Sequence, residues 1–363
     1  MVASSFFSSP LPFIVGLAGK TISPEEKKFF STYPPFGFIL FERNIASHQQ
    51  LKSLTHQLKN WGQEHLGNDI FIFIDQEGGR VRRLKPPLVY DAPSMIHFNQ
   101  CYQHNPENGK KAIKLYGALQ GAELQNLGIN VNCAPVLDIY FAKAHDIIGD
   151  RALSNNHEDI ITLADNYLYG LNESGVLSVM KHIPGHGRAM VDSHHDLPSI
   201  KTDRAILEKS DFMPFRHFAK TIPFAMTAHM VYENWDNTPA TLSKTIIKNV
   251  IRDHIGFNGL LITDDLSMKA LSGDMAERGR AALLAGCDIL LHCNGRLDEM
   301  KKLAQMLMDI FDEKKQMAFK KSYQNIANLY KLKKEKMRQL DEKKQADDYK
   351  TITRLLSCDT KTK

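Results

Sequence analysis

The segment VLSVMKHIPGHGRAMVDSHHDLP, residues 176–198, changes character abruptly at Lys181. Residues 176–180 form a continuous apolar run, which is typical of a parallel strand that is buried on both faces. The residues that follow include four histidines and two aspartates, on a loop that also contains glycine and proline. Loops of this kind carry functional groups, while rigid elements hold them in place. The segment therefore predicts a buried strand that leads into a functional loop.

Seven other segments have the same layout, in which an apolar run precedes a helical pattern. Together with residues 176–181, the apolar runs are residues 13–18, 36–41, 70–75, 130–139, 224–229, 260–264 and 288–292. Helical patterns cover residues 47–66, 110–127, 157–174 and 203–220, and others begin at Pro24, Leu242, Asp274 and Leu297. Eight strand and helix pairs predict an α/β fold, a (β/α)8 TIM barrel, as a single domain with extra C-terminal helices.

The length of the chain allows one large domain or two small ones, and the eight strand and helix pairs favour one. The chain has 363 residues, of which 43% are hydrophobic and 24% charged, so a large core can form. We assign residues 1–315 to the barrel and residues 316–363 to a lysine-rich helical extension. In residues 314–350 the basic side chains are interleaved with acidic ones. That pattern favours a solvated helical face over a nucleic-acid-binding arm.

The composition also bears on location and partners. The net charge is +5, and no run approaches the roughly 20 apolar residues that cross a bilayer. The first 20 residues resemble a signal peptide poorly, because prolines interrupt their apolar stretch. Five cysteines form no CxxC pair, namely Cys101, Cys133, Cys287, Cys293 and Cys358. We therefore expect a cytoplasmic protein that binds neither nucleic acid nor membrane, and no pattern indicates an oligomeric state.

Polar residues recur where the apolar runs end. They are Asp75, Asp138, Lys181, His182, His229, Asp264, Asp265 and His292. In TIM barrels the reacting groups lie at the carboxyl ends of the strands and on the loops that follow. Each of these residues alone could be a helix cap or a buried core residue. Jointly they predict a polar, concave mouth at one end of the barrel.

A metal centre is the first chemistry to consider for this mouth. The histidines of the loop resemble a ligand cluster, namely His182, His186, His194 and His195. Metal-dependent barrel hydrolases, however, also need a His-x-His pair at the end of the first strand, which here reads IVGLAGK. No acidic partner stands at the end of the eighth run either. We therefore expect no catalytic metal and no other cofactor.

A Schiff base at Lys181 is the second possibility. A strand-end lysine can serve as a nucleophile when desolvation lowers its pKa. Here we expect Lys181 to face Asp75, Asp138 and Asp264, and such carboxylates hold a lysine in its charged form. A charged lysine is better suited to donate hydrogen bonds to a substrate hydroxyl, so this possibility ranks low.

Glycoside hydrolysis is the third possibility. It needs a carboxylate beside the anomeric carbon and a proton donor on the other side of the scissile bond. Asp264 ends a buried strand, and because side chains alternate along a strand, only one of Asp264 and Asp265 should point inward. In Asp192-Ser193-His194 the carboxylate can hold the imidazole and keep a proton available near neutral pH.

Three motifs carry a resemblance to a known family. They are IDQEGGRV at residues 74–81 with Arg83 after it, KHIPGHG at residues 181–187 with Asp192-Ser193-His194, and TDDLSM at residues 263–268. They resemble the signatures of glycoside hydrolase family 3. More closely, they resemble those of its single-domain bacterial branch, the cytoplasmic β-N-acetylglucosaminidases of peptidoglycan recycling. The resemblance extends from about residue 16 to about residue 294.

The resemblance implies roles for eight residues. Asp264 corresponds to the nucleophile, His194 to the acid/base and Asp192 to its dyad partner. The residues that correspond to substrate contacts are Asp75, Arg83, Arg151, Lys181 and His182. The implied mechanism is retaining, through a covalent glycosyl intermediate on Asp264. The implied partner is a carbohydrate, a muropeptide that contains terminal N-acetylglucosamine.

Other readings of the same residues stay open at this stage. A broader β-glycosidase or a phosphorylase could use the same intermediate, and a catalytically silent sugar-binding barrel would need no turnover. Four residues of the region are assigned structural roles, namely His186, His195, Asp196 and His229. His186 in particular is expected to hold the loop's turn through backbone hydrogen bonds.

Overall fold

The computed structural model describes residues 10–194, 196–310, 313–335 and 341–357. His195 and Cys358, both singled out in the sequence, lie outside the described residues. Eight parallel strands form a closed barrel, which confirms the predicted TIM-barrel fold. The strands are β1 (Leu11–Gly16), β2 (Pro35–Leu40), β3 (Phe71–Ile74), β4 (Val131–Asn132), β5 (Leu177–Ile183), β6 (Phe224–Thr227), β7 (Leu260–Asp265) and β8 (Ile289–His292). Each strand pairs with its sequence neighbours, and β8 closes the barrel by pairing with β1.

Helices cover the outside of the barrel. They are α1 (Pro24–Thr32), α2 (His48–Leu66), α3 (Met95–His104), α4 (Pro106–Asn126), α5 (His157–Asn172), α6 (Arg204–Lys209), α7 (Phe212–Phe218), α8 (Met275–Ala285) and α9 (Leu297–Ile310). A π-helix, Ile246–His254, stands between β6 and β7. Two further helices follow, α10 (Glu313–Glu335) and α11 (Glu342–Ser357). None of the helices in the described ranges combines the length and apolar character needed to span a bilayer.

Proline accounts for three of the differences between the predicted and the observed elements. β4 is shorter than residues 130–139 because Pro135 has no N–H to donate to a neighbouring strand. The helical pattern of residues 203–220 divides into α6 and α7, since Pro214 is tolerated only in the first turn of a new helix. Pro106 starts α4 four residues before the predicted Lys110, and Asn105 caps it. Helix α3 lies between β3 and α4, where the sequence analysis assigned no helical pattern.

The alternation of side chains along the strands divides the core into two layers. In β2, for example, Phe38 and Leu40 belong to the layer between barrel and helices, whereas Ile39 belongs to the interior of the barrel. Phe36 stacks on Phe71 of β3 inside the barrel, with ring centroids 5.0 Å apart. Because successive residues point to opposite faces of a strand, both layers follow from apolar runs without polar interruptions.

Helix α10 contributes to the interior layer. Its buried residues Phe319, Tyr323, Ile326 and Tyr330 belong to the same cluster as the inward-facing strand residues. The rings of Phe319 and Tyr323 lie 5.9 and 5.8 Å from Phe36, which is near the amino end of β2. The helix therefore covers the end of the barrel opposite to the polar mouth. The division of the chain at residue 315 stays a prediction.

Candidate active site

The barrel places three polar residues of the strand ends inside its mouth. The last inward-facing apolar residues of β3, β5 and β7 are Phe73, Val179 and Ile262. Two positions after each of them stands a polar residue, namely Asp75, Lys181 and Asp264. Side chains two positions apart share a face of a strand, so all three point inward. They line a cavity of about 320 Å³ at the carboxyl ends of the strands. Arg83, Arg151, His182 and His194 line the same cavity, and Asp192 contacts His194.

Asp75 accepts two charged hydrogen bonds in this cavity. Lys181 Nζ lies 2.8 Å from Asp75 Oδ1, and Arg83 Nη2 lies 3.0 Å from Oδ2. Burial opposes ionisation of Asp75, but Lys181 and Arg83 outweigh it and hold its pKa below the usual range. Burial also disfavours the ammonium group of Lys181, yet Asp75 and Glu77 raise its pKa. Lys181 is therefore in its charged form, which argues against a Schiff base, as the sequence analysis expects.

Glu77 is a site residue that the sequence reasoning missed. Its carboxylate is 1% exposed and binds Arg151 in a bidentate manner, with Nε and Nη2 at 2.8 and 2.9 Å. Lys181 Nζ lies 2.6 Å from Glu77 Oε1. Burial works against its charge, but Arg151 and Lys181 lower the pKa of Glu77. The signal for it was its place in IDQEGGRV, two residues after Asp75.

Asp138 binds the histidine motif rather than Lys181, which corrects one expectation. Asp138 Oδ2 lies 2.6 Å from His182 Nδ1, and Oδ1 accepts a 2.6 Å hydrogen bond from the backbone N–H of His186. Asp138 is fully buried, so its charge needs these donors. Lys181 pairs with Glu77 instead of Asp138. Asp138 thus orients the His182 ring, whose Nε2 is the nitrogen left to face the cavity.

Asp264 lies at the carboxyl end of β7, on the wall of the cavity. Its Oδ1 accepts a 2.8 Å hydrogen bond from the backbone N–H of Asp265. Burial opposes its charge, but His229 and His182 around it hold the pKa of Asp264 below its ordinary value. Asp265 has a local structural role, since it accepts from the backbone N–H groups of Cys293 and Ser267, both at 3.1 Å. Asp264 is thus the ionised carboxylate that is available for chemistry.

The imidazole of His194 is held by Asp192. His194 Nδ1 lies 2.8 Å from Asp192 Oδ1, and the backbone N–H of His194 donates to the same oxygen at 2.8 Å. The His194 side chain is 58% exposed, whereas that of Asp192 is 22% exposed. A carboxylate on Nδ1 selects the tautomer and leaves Nε2 for proton transfer. Such a dyad can act as a general acid or base at the mouth of the cavity.

Comparison with known proteins assigns this geometry to a family. The sequence profile of the Glycosyl hydrolase family 3 N terminal domain matches residues 15–329. The chain belongs to glycosyl hydrolase family 3. A β-hexosaminidase of Alkalilimnicola ehrlichii is 37% identical over 287 residues, covering 78% of this chain and 80% of that protein. A β-hexosaminidase of Idiomarina loihiensis is 35% identical over 292 residues, covering 80% and 86%.

Solved structures support the same assignment. The native NagZ of Neisseria gonorrhoeae superimposes with a TM-score of 0.75 at 30% identity, covering 88% of this chain and 98% of that one. The same NagZ has been solved in complex with N-trifluoroacetyl-D-glucosamine, and it matches with the same score and coverage. The family 3 chain described here is a glycoside hydrolase of the β-N-acetylhexosaminidase type, and a carbohydrate is its substrate.

Two histidines that were expected at the mouth of this family 3 barrel do not line the cavity. His229 is fully buried, with Nδ1 2.7 Å from Thr241 Oγ1 and Nε2 3.1 Å from the backbone oxygen of Asp265. His292 is also fully buried, and its Nε2 lies 2.9 Å from Glu299 Oε2. Local partners therefore bind both rings. His229 has the supporting position that the sequence favoured, whereas His292 is a correction.

His186 differs from the other buried histidines in its side chain. Its backbone holds the turn as predicted, through Asp138 and through a 3.1 Å hydrogen bond from the N–H of Ala189. Its ring lines the cavity and is 3% exposed. Neither ring nitrogen has a hydrogen-bond partner among the residues that the structure describes. Within the same described ranges, no group of three or more acidic, histidine or cysteine side chains is arranged to hold a metal ion.

Proposed function

We propose that this family 3 enzyme is a retaining exo-β-N-acetylglucosaminidase that removes terminal, non-reducing β-linked N-acetylglucosamine. The observation that carries the proposal is the presence of Asp264 and the Asp192–His194 dyad at one cavity. An ionised carboxylate and a separate proton donor are the two groups that glycoside hydrolysis requires. The complex of the related NagZ with N-trifluoroacetyl-D-glucosamine supports an N-acylated glucosamine as the sugar.

Asp264 is proposed to act as the nucleophile in the first step. Its carboxylate attacks the anomeric carbon, and the bond to the leaving oxygen breaks as a covalent glycosyl ester forms. Burial alone would raise the pKa of Asp264, but His229 and His182 lower it below its ordinary value. The carboxylate is therefore ionised and available for this attack. At the same time His194 Nε2 gives its proton to the leaving oxygen, so that a neutral alcohol departs.

The same imidazole is proposed to act as the base in the second step. His194 Nε2 takes a proton from water as the water oxygen attacks the anomeric carbon and Asp264 is released. A histidine in this role is neutral as a base, so it avoids placing a second negative charge close to Asp264. Asp192 stabilises the imidazolium that forms when the ring is protonated.

The charged network at the base of the cavity is proposed to bind the sugar hydroxyls. The residues concerned are Asp75, Arg83, Arg151, Lys181 and His182, and all of them line the cavity. Asp75 can accept from hydroxyls while the cations donate to them, which fixes the orientation of a polyol. A cavity of about 320 Å³ suits one terminal sugar residue better than an internal segment of a chain.

The natural substrate is proposed to be an anhydro-muropeptide of peptidoglycan recycling, processed in the cytoplasm. The likeness to NagZ of Neisseria gonorrhoeae and to bacterial β-hexosaminidases supports this assignment. Because His194 is more than half exposed at the mouth, a bulky leaving group can extend from it into solvent.

Turnover of a chromogenic β-N-acetylglucosaminide by the wild type and Asp264→Asn tests the proposal. We expect the variant to lose activity by at least about 10⁴-fold, because no covalent intermediate can form. Asp265→Asn, one residue further along β7, is the matched control and should retain most activity. A 5-fluoro glycoside should label the wild type on the peptide that contains Asp264. Full activity in Asp264→Asn would contradict the assignment.

The role of His194 needs substrates with different leaving groups. His194→Ala should lose more activity on an alkyl glycoside than on an aryl glycoside with an acidic phenol, since only the former needs a proton donor. Added azide should restore the second step of the aryl substrate and yield the β-glycosyl azide. If His194→Ala lost the same activity on both substrates and formed no glycosyl azide, His194 would not be the acid/base.

A further inference from the structure

The ring of His186 is a buried polar group on the wall of the active-site cavity. It is 3% exposed, and its two nitrogens have no hydrogen-bond partner in the described part of the chain. Leaving a polar group of this kind buried without a partner is costly, and proteins avoid it unless function requires it. The ring of His182 lies beside it, with the ring centroids 5.6 Å apart and the ring planes inclined at 60°.

The backbone on both sides of His186 is fixed. Tyr232 Oη donates a 2.6 Å hydrogen bond to the carbonyl of Gly185, and Asp138 accepts the N–H of His186 itself. Gly187 lies so close to the carbonyl oxygen of Ile139 that a Cβ atom there would be 1.9 Å from it. These contacts hold the backbone of His186 in place, with its ring on the cavity wall. A backbone that is already in position lowers the cost of presenting a side chain to a ligand.

The ring is electrically neutral at physiological pH. Burial lowers the pKa of His186 to about 4, and the neighbouring His182 contributes to the same effect. A neutral imidazole has one N–H donor and one nitrogen acceptor. An amide group carries the complementary pair, a carbonyl acceptor and an N–H donor. The chemistry of the ring thus matches a neutral amide better than a carboxylate or a phosphate.

The position of His186 relates it to one part of the bound sugar. Its electrostatic neighbours include Asp264 and Arg151, whereas Asp75 lies with Lys181 and Arg83. Under the proposed function, the anomeric carbon C1 sits against Asp264. The substituent on the adjacent carbon, C2, is the acetamido group of N-acetylglucosamine. It is the amide nearest to the reacting centre.

We propose that His186 is a specificity-determining residue that hydrogen-bonds the 2-acetamido group of the substrate. The proposal rests on the proposed N-acetylglucosaminidase function and identifies a residue through which the enzyme selects that sugar. His186 contacts the substrate but takes no part in proton transfer or nucleophilic attack. Its contribution differs between substrates that have and lack the amide, which a purely structural residue would not produce.

The test compares two substrates and two variants at this position. The substrates are 4-nitrophenyl β-N-acetylglucosaminide and 4-nitrophenyl β-glucoside, which differ only at C2. We expect His186→Leu to lower kcat/KM for the N-acetylglucosaminide by about tenfold or more and to leave that for the glucoside within about twofold. His186→Asn, which keeps a donor and an acceptor, should recover part of the loss for the first substrate.

Thermal unfolding distinguishes a lost contact from a damaged fold. Because leucine removes a buried polar group without a partner, His186→Leu should unfold at the same temperature as the wild type or higher. Equal losses of kcat/KM for both substrates, or no loss for either, would overturn the acetamido contact. If the wild type turned over no N-acetylglucosaminide but did hydrolyse the glucoside, the proposed function itself would fail, which is a distinct result.

Discussion

Lys181 Nζ lies 2.6 Å from Glu77 Oε1, and both side chains are almost completely buried. The same carboxylate also binds Arg151, so one buried anion connects β5 to two loops at the mouth of the barrel. Burying charges is costly, and a network of this kind is stable only while every member keeps its partners. Glu77 therefore supports the position of Lys181 without being a predicted substrate contact.

Replacing Glu77 should lower the stability of the protein. In Glu77→Gln the Arg151 guanidinium stays buried without its counter-charge, so the free energy of unfolding in urea at pH 7 should fall by roughly 3 kcal/mol. The control is Glu42→Gln, since Glu42 forms a 3.0 Å pair with Lys85 and both are at least half exposed. That change should cost less than about 1 kcal/mol. Equal losses in the two variants would contradict a supporting role for Glu77.

A partly buried carboxylate on α4, that of Glu123, should make stability fall as the pH rises. Burial raises the pKa of Glu123 to about 8, against a 2.6 Å hydrogen bond from the Tyr90 backbone N–H. Between its ordinary value of 4.5 and pH 8, the folded state holds a proton that the unfolded state has released. Stability from this group is thus present below about pH 4.5 and is lost as the pH rises towards 8.

Glu123→Gln should therefore be more stable than the wild type at pH 8, by roughly 4 kcal/mol, and about equally stable at pH 4.5. Urea unfolding at the two pH values measures the difference. Glu107→Gln is the control because Glu107 is 84% exposed at the start of the same helix. Its effect should be below about 1 kcal/mol and independent of pH over this range. An identical gain at both pH values would show that Glu123 is not protonated in the folded state.

Arg188 anchors the loop that carries the Asp192–His194 dyad. Its Nε lies 3.0 Å from both carboxylate oxygens of Asp211, which is 2% exposed, and its guanidinium lies 4.0 Å from the centre of the Phe141 ring. In Arg188→Met the loop loses this attachment, so kcat should fall by about tenfold or more with little change in KM.

A second arginine nearby provides the control for this change. Arg204 on α6 donates to the backbone oxygen of Asn234 at 2.6 Å and lies over the Trp235 ring, away from the loop. Arg204→Met should leave kcat unchanged. In Arg188→Met the charge of the buried Asp211 loses its partner, which lowers stability. The double variant Arg188→Met/Asp211→Asn removes that charge, so a loss of kcat that persists in it is due to the position of the loop. A rise in KM with unchanged kcat would place Arg188 in substrate binding instead.

Helix α10 should be part of the folding unit of the barrel. Phe319 is 7% exposed, and its ring centroid lies 5.9 Å from that of Phe36 inside the barrel. Phe319→Ala should lower the free energy of unfolding by about 3 kcal/mol, since it leaves a cavity in a packed layer. Met317→Ala is the control on the same helix, because Met317 is 72% exposed. It should change stability by less than about 0.5 kcal/mol. Similar losses of stability in the two variants would show that α10 does not belong to the folding unit of the barrel.

Local patterns in the sequence determined the barrel and part of its mouth. Buried parallel strands appear as continuous apolar runs, so all eight could be found from hydrophobicity alone. The alternation of side chains along a strand places Asp264 on the inner face of β7, two residues after the inward-facing Ile262. The motifs around Asp75 and Lys181 were visible for the same reason, because each lies directly at a strand end.

Which side chains meet across the mouth was decided only by the tertiary structure. Glu77 and Arg151 are 74 residues apart, and Asp138 and His182 are 44 apart. Their pairing depends on the paths of loops and on the tilt of strands, which hydrophobic periodicity does not report. For that reason the sequence placed Asp138 beside Lys181, missed Glu77, and expected His292 in the cavity. Burial also decided that the His186 ring is neutral and without a partner in the described chain, since desolvation is a property of the packed fold.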